Sequence, residues 1–196
     1  MIRRCRLGAV LLAPALVTIA PAAGPAPVRV VSPPANAALR AGPFWVICKG
    51  PAGGLSVDGR PRPWGPFAEP VRAARLDLGP GRHEVRIGER VVAVWVGDEG
   101  ASPGWAAFRA HPIPEGAGGC DRCHETAARD GLTALGAVRP FSSCLECHPP
   151  SAFEARHAHP LAPLKDCGAC HAPHGPASKG LLKAPAKKLC ASCHDS

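Results

Sequence analysis

Eight of the ten cysteines lie beyond residue 111, in four units of one form: Cys120-Asp-Arg-Cys123-His124, Cys144-Leu-Glu-Cys147-His148, Cys167-Gly-Ala-Cys170-His171 and Cys190-Ala-Ser-Cys193-His194. Their first cysteines are 24, 23 and 23 residues apart, and so regular a period marks an internal repeat. Paired thiols at this spacing serve three chemistries. Disulfides would use the thiols and leave the trailing histidines without a reason. Zinc ribbons also use Cys-x-x-Cys pairs separated by about 15–20 residues, and again a histidine after every second cysteine has no purpose. With nine histidines in 196 residues, four such placements by chance have odds on the order of one in a hundred thousand.

The third chemistry explains every residue of the unit. Two thiols form thioethers to the two vinyl groups of one porphyrin, and the next imidazole reaches the iron from the same side. The expected cofactor is therefore four covalently bound haem c. Cys120, Cys123, Cys144, Cys147, Cys167, Cys170, Cys190 and Cys193 hold the porphyrins, and His124, His148, His171 and His194 are the proximal iron ligands.

The sixth position on each iron separates carriers from catalysts. Met1 is the single methionine and belongs to the leader described below, so methionine is excluded. Beyond the proximal set and His83, four histidines remain as distal candidates: His111, His157, His159 and His174. Four candidates for four irons point to bis-histidine ligation throughout. "HPIPEGAGGCDRCH" from His111 aligns with "HPLAPLKDCGACH" from His159, so the region reads as one two-haem module duplicated. The copies differ after the first unit, where Ala127 stands in place of His174. His157 is the leading candidate for the missing ligand. Ser151 and Glu154 form a capping box that starts a short helix, Phe153 and His157 share a face at i, i+4, and Pro160 turns His159 away from helical geometry. A surface role for either His157 or His159 is the alternative.

The second copy, with "CHAPHG" and "LLKAPAKKLCASCH", is similar to the doubled C-x-x-C-H motif family of multihaem c-type cytochromes. The resemblance covers about residues 111–194. It implies an axial role for His174, the histidine of the CHxPHG string, for His159 upstream, and through the repeat for His111.

These units need a scaffold, and the chain ahead of them is of another kind. Residues 1–23 read as a signal peptide: Arg3, Arg4 and Arg6, an apolar run from Leu7 to Ala20 broken by Pro14, then small residues. That run falls short of the ~20 residues of a membrane span, so export to the periplasm, or onward to the cell surface or an envelope complex, is expected, with no transmembrane segment in the mature chain. A retained anchor is the alternative. Residues 25–98 hold the short β-branched runs "VRVVS", "FWVIC", "GLSVDG", "VRAARLDL", "RHEVRI" and "RVVAVWV" between turn formers, the pattern of a small antiparallel all-β sandwich. "VDGRP" followed by "LDLGPGRHEVRI" resembles short immunoglobulin-like modules of exported bacterial proteins. Cys48 reads as a small core side chain, with a reactive thiol as the alternative, and His83 as a half-exposed surface histidine. Residues 99–110 read as a linker, and residues 111–196 as a loop-rich, short-helix tetrahaem domain whose core is haem.

Composition fits that division. Aromatic residues make up only 5% of the chain while Pro numbers 24 and Gly 22, so a protein-only core would be thin. Without the leader, 20 Lys+Arg stand against 15 Asp+Glu, and no aromatics interleave with the basic residues, which argues against nucleic acid as a partner. Residues 99–196 carry 10 basic and 9 acidic side chains; about eight propionates and the iron charges would turn this half acidic. Residues 25–98 stay basic, with 10 Lys+Arg against 6 Asp+Glu. The expected partners are redox proteins, among them a membrane-associated respiratory complex docked through the β domain. The expected function is electron transfer in the cell envelope rather than catalysis. The alternatives are a small reductase of a nitrogen oxide or oxyanion with one open iron, and a haem subunit of a larger respiratory or extracellular conduit.

Overall fold

The computed structural model describes residues 27–97, 103–109, 111, 119–139, 142–149, 151, 167–175 and 179–194. The leader, His157, His159 and the helix expected from Ser151 onward lie outside the described residues, apart from Ser151 itself.

The molecule is mostly β-sheet with few helices. The six runs expected as strands form β1 (Arg29–Ser32), β3 (Phe44–Lys49), β4 (Leu55–Val57), β6 (Val71–Leu76), β7 (Gly81–Ile87) and β8 (Arg90–Val96). Three further strands join them: β2 (Ala37–Leu39), β5 (Arg60–Arg62) and β9 (Ala106–Ala107). One sheet has the order β1-β3-β6, the other β5-β4-β7-β8-β2-β9. The pairing departs from a purely antiparallel sandwich at β2, which runs parallel to both β8 and β9. The stretch read as a linker thus supplies β9, and Phe108 beside it is buried with the core.

Alternation along the strands builds that core. Val46 and Cys48 of β3 and Ala74 and Leu76 of β6 meet Val85 and Ile87 of β7 and Val92, Val94 and Val96 of β8 in one cluster. Each fully buried Val or Ile is worth about 1.5–3 kcal/mol relative to an exposed one. Cys48 is fully buried and burial pushes its thiol up, as expected of a small core side chain.

Beyond residue 111 the architecture changes. None of the described side chains there is a buried hydrophobe. The loop-rich expectation is modified by an antiparallel hairpin, β10 (His124–Arg129) and β11 (Leu132–Val138). Its turn residues Asp130 and Gly131 have φ of 52° and 74°, the mirror-image turn that matches strand twist and favours Asp-Gly. The hairpin docks on the β domain: Ala68 N–H donates to the Thr133 carbonyl at 2.9 Å and Thr133 N–H to the Pro66 carbonyl at 2.8 Å. Among the described residues two short helices follow, α1 (Ser142–Leu145) and α2 (Ala186–Cys190), with 3-10 turns at Cys167–Ala169 and Lys179–Leu181.

Candidate haem attachment site

All four Cys-x-x-Cys-His units close by the same backbone bonds. The first cysteine's carbonyl accepts from the histidine N–H four residues on, at 2.8 Å for Cys120–His124, 3.0 Å for Cys144–His148, 2.9 Å for Cys167–His171 and 2.9 Å for Cys190–His194. The second cysteine's N–H donates to that same carbonyl, at 3.2–3.3 Å in every unit. One helical turn therefore sets both thiols and the imidazole on a common side in each unit. No disulfide joins any of the described cysteines. Among the described residues, no three His, Cys, Asp or Glu side chains converge as ligands of a bare ion.

Odd and even units are positioned differently. The second and fourth lie at the C-terminal ends of α1 and α2. The first and third are held by a segment that returns alongside them. After the first unit, Arg139 N–H donates to the Cys123 carbonyl at 2.8 Å and His124 Nδ1 lies 3.3 Å from the Gly136 carbonyl. After the third, Lys183 N–H donates to the Cys170 carbonyl at 2.8 Å and His171 Nδ1 lies 2.8 Å from the Gly180 carbonyl. The two arrangements match, with "GAVR" (136–139) doing for the first unit what "GLLK" (180–183) does for the third. The duplication inferred from spacing is thus also a duplication of bonding. These strings are the functional residues that cysteine counting overlooked, and Gly-x-x-basic ahead of each even unit was their signal.

The carbonyl contacts have a chemical consequence. A carbonyl can only accept, so Nδ1 of His124 and His171 carries the proton and Nε2 keeps its lone pair for a metal.

Two pairs of imidazoles face each other. The rings of His124 and His174 have centres 5.9 Å apart with planes 17° apart, and those of His111 and His148 have centres 5.8 Å apart with planes 80° apart. A histidine nitrogen sits about 2.0–2.1 Å from a first-row metal ion, so two imidazoles across one iron have centres roughly 6.3 Å apart. Both pairs come within about half an ångström of that span, and the donor set fits haem iron. The pairs are neighbours: burial is the main cause that holds His174 below the ordinary histidine range, followed by the charges of His124 and His111. The first two attachment turns also adjoin. Burial pushes the Cys123 thiol up, with Cys144, Cys147 and Glu146 adding to the shift, and burial likewise raises Cys120, aided by Asp121 and Cys123.

The string around His174 is tightly held. Gly175 N–H donates to the Ala172 carbonyl at 2.9 Å and His111 N–H to the Pro173 carbonyl at 2.8 Å. A Cβ on Gly175, whose φ is 104°, would lie 2.2 Å from the Phe108 ring. A cavity of about 450 Å³ opens between β1 and the third unit, lined by Arg29, Val30, Val31, His171, His174 and Lys183 among others. His83, by contrast, bonds Asp58 and the Gly79 carbonyl, each at 2.8 Å.

The family pattern of the doubled CXXCH motif matches residues 159–196. That family is the multihaem c-type cytochromes, and residues 159–196 are similar to it. No curated protein and no solved structure matches the chain. Multihaem c-type cytochromes bind haem covalently through CXXCH motifs and carry electrons, which fits the third and fourth units directly. Such cytochromes are typically exported, and among the described residues no helix is long and apolar enough to cross a membrane.

Proposed function

We infer that the chain is a tetrahaem c-type cytochrome that passes single electrons in the bacterial cell envelope, with histidine on both sides of every iron. The observation that carries the reading is the identity of the four attachment turns: the two units outside the family match, at Cys120 and Cys144, close by the same bonds as the two inside it. Four equal turns hold four equal groups.

Each cysteine pair would tether a porphyrin edge and each following histidine would ligate the iron. Haem supplies a one-electron iron couple when bound. The chain does the rest. Gly136 and Gly180 carbonyls orient His124 and His171, the facing histidines close the irons to other ligands, and the tethers hold neighbouring groups close. The lack of buried hydrophobic side chains among the described residues beyond 111 supports haem as the packing material of that half. The β domain positions this half against redox partners, its basic surface meeting an acidic one, such as that of a membrane-associated respiratory complex.

Intact mass of the mature protein tests the count. Four haem increments on a chain cleaved near Ala22 or Ala23 are expected, and fewer than four would refute it. Carbon monoxide tests the closed irons, since the reduced native protein should leave its spectrum unchanged on exposure. A stoichiometric carbonyl adduct would favour an open, catalytic iron instead.

A further inference from the structure

We propose that the first two irons are ligated across the duplication: His174, from the downstream module, completes the iron of the first unit opposite His124, and His111 completes the iron of the second unit opposite His148. The proposal rests on the haem reading above and adds which histidine serves which iron.

Proximity in sequence would assign His174 to its own module, three residues after His171. The structure brings it to His124 instead, ring centre to ring centre 5.9 Å. The ligand that Ala127 fails to supply is thereby provided from 50 residues downstream of His124. His124 is prepared for this role because the Gly136 carbonyl holds the proton on Nδ1. His174 is prepared by its setting: Gly175 packs against Phe108, and the preceding Pro173 carbonyl receives the His111 N–H at 2.8 Å. That one backbone bond ties the two distal ligands together, so the irons they complete are neighbours. His157 and His159 are then the histidines left for the irons of His171 and His194.

The two pairs differ in a way spectroscopy can read. Planes 80° apart at His111 and His148 leave two iron d orbitals nearly equal in energy, which gives a strongly anisotropic low-spin EPR signal. Planes 17° apart at His124 and His174 split those orbitals and give a rhombic one.

The test uses the full-length holoprotein. His174→Ala should convert one haem in four to a high-spin, carbon-monoxide-binding form and remove a rhombic signal, whereas His111→Ala should remove a strongly anisotropic one. His174→Met should restore a low-spin iron with a shifted potential, which a general loss of structure would not allow. Unit deletions then assign the iron. When the first haem is removed by Cys120→Ser with Cys123→Ser, His174→Ala should create no new high-spin haem. When the third is removed by Cys167→Ser with Cys170→Ser, it should still create one. The reverse pattern overturns the proposal and returns His174 to its own module. Absence of haem mass in the parent protein would instead overturn the haem reading itself.

Discussion

Gly175→Ala puts the seating of the His174 string under direct stress. The residue holds φ at 104°, a region that costs a side-chain-bearing residue about 1–3 kcal/mol. The added Cβ would also stand 2.2 Å from Cε2 and Cζ of Phe108, which is only 4% exposed and set in the β-domain core. Forcing that ring aside is an overpacking cost of about 1–3 kcal/mol. The two effects together come to roughly 2–6 kcal/mol, which for a protein of this size lowers the melting temperature by about 4–24 °C. Thermal unfolding of the holoprotein followed by circular dichroism measures the loss. The same substitution in a Phe108→Ala background separates the parts, because removing the ring should leave only the backbone cost. Equal losses in the two backgrounds would refute the contact between the two halves.

Other perturbations report on the rest of the molecule. Ile87→Ala removes a fully buried side chain from the sandwich and should cost about 2–5 kcal/mol, seen in denaturant titration, while the optical spectrum of the haem half stays unchanged. His83 and Asp58 form an ion pair whose effect on stability is pH-dependent. Burial opposes charge on His83, yet the bonds to Asp58 and the Gly79 carbonyl outweigh it and raise its pKa; the Glu84 N–H and then His83 lower that of Asp58. The histidine's contribution is complete below its unfolded pKa and fades as pH rises through the raised one, and the carboxylate's fades as pH falls through its lowered one. A His83→Gln variant should therefore lose stability relative to the parent mainly in mildly acid solution, by less than about 1 kcal/mol because the pair is partly exposed; a difference independent of pH between 5 and 9 would refute the pair. Arg29 and Lys183 line the cavity beside His171, and a cation there favours the reduced, more negative haem. Arg29→Glu should lower the midpoint potential of one haem in film voltammetry, and an unchanged trace would place β1 away from every haem.

Sequence revealed the parts of this molecule that local chemistry dictates. β3, β7 and β8 are legible because inward and outward residues alternate in β-branched runs. β2 ("AAL") and β5 ("RPR") carry no such pattern, since partners in the sheet, not their own side chains, make them strands. The hairpin β10–β11 lacks alternation because its β10 face is mostly exposed, although Asp130-Gly131 stood in plain sight as its turn. At the site, the four Cys-x-x-Cys-His turns follow from residue type and spacing alone. The facing of His124 with His174 does not, because separation along the chain says nothing about which rings meet after the Pro173–Gly175 turn closes against Phe108.

The order of the facing rings along the chain carries one more consequence. The spans 111–148 and 124–174 overlap without either enclosing the other. With an iron in each pair, they form two interleaved loops, and each coordinate closure of some 37–50 residues restricts the unfolded chain by about 4 kcal/mol on the scale of a covalent cross-link. No cut between the first and second copies leaves both loops intact. The span 111–148 lies within the first copy and 124–174 crosses into the second, so on this geometry the downstream copy closes a loop that begins in the upstream one, and a cut between the copies opens that loop while sparing the other.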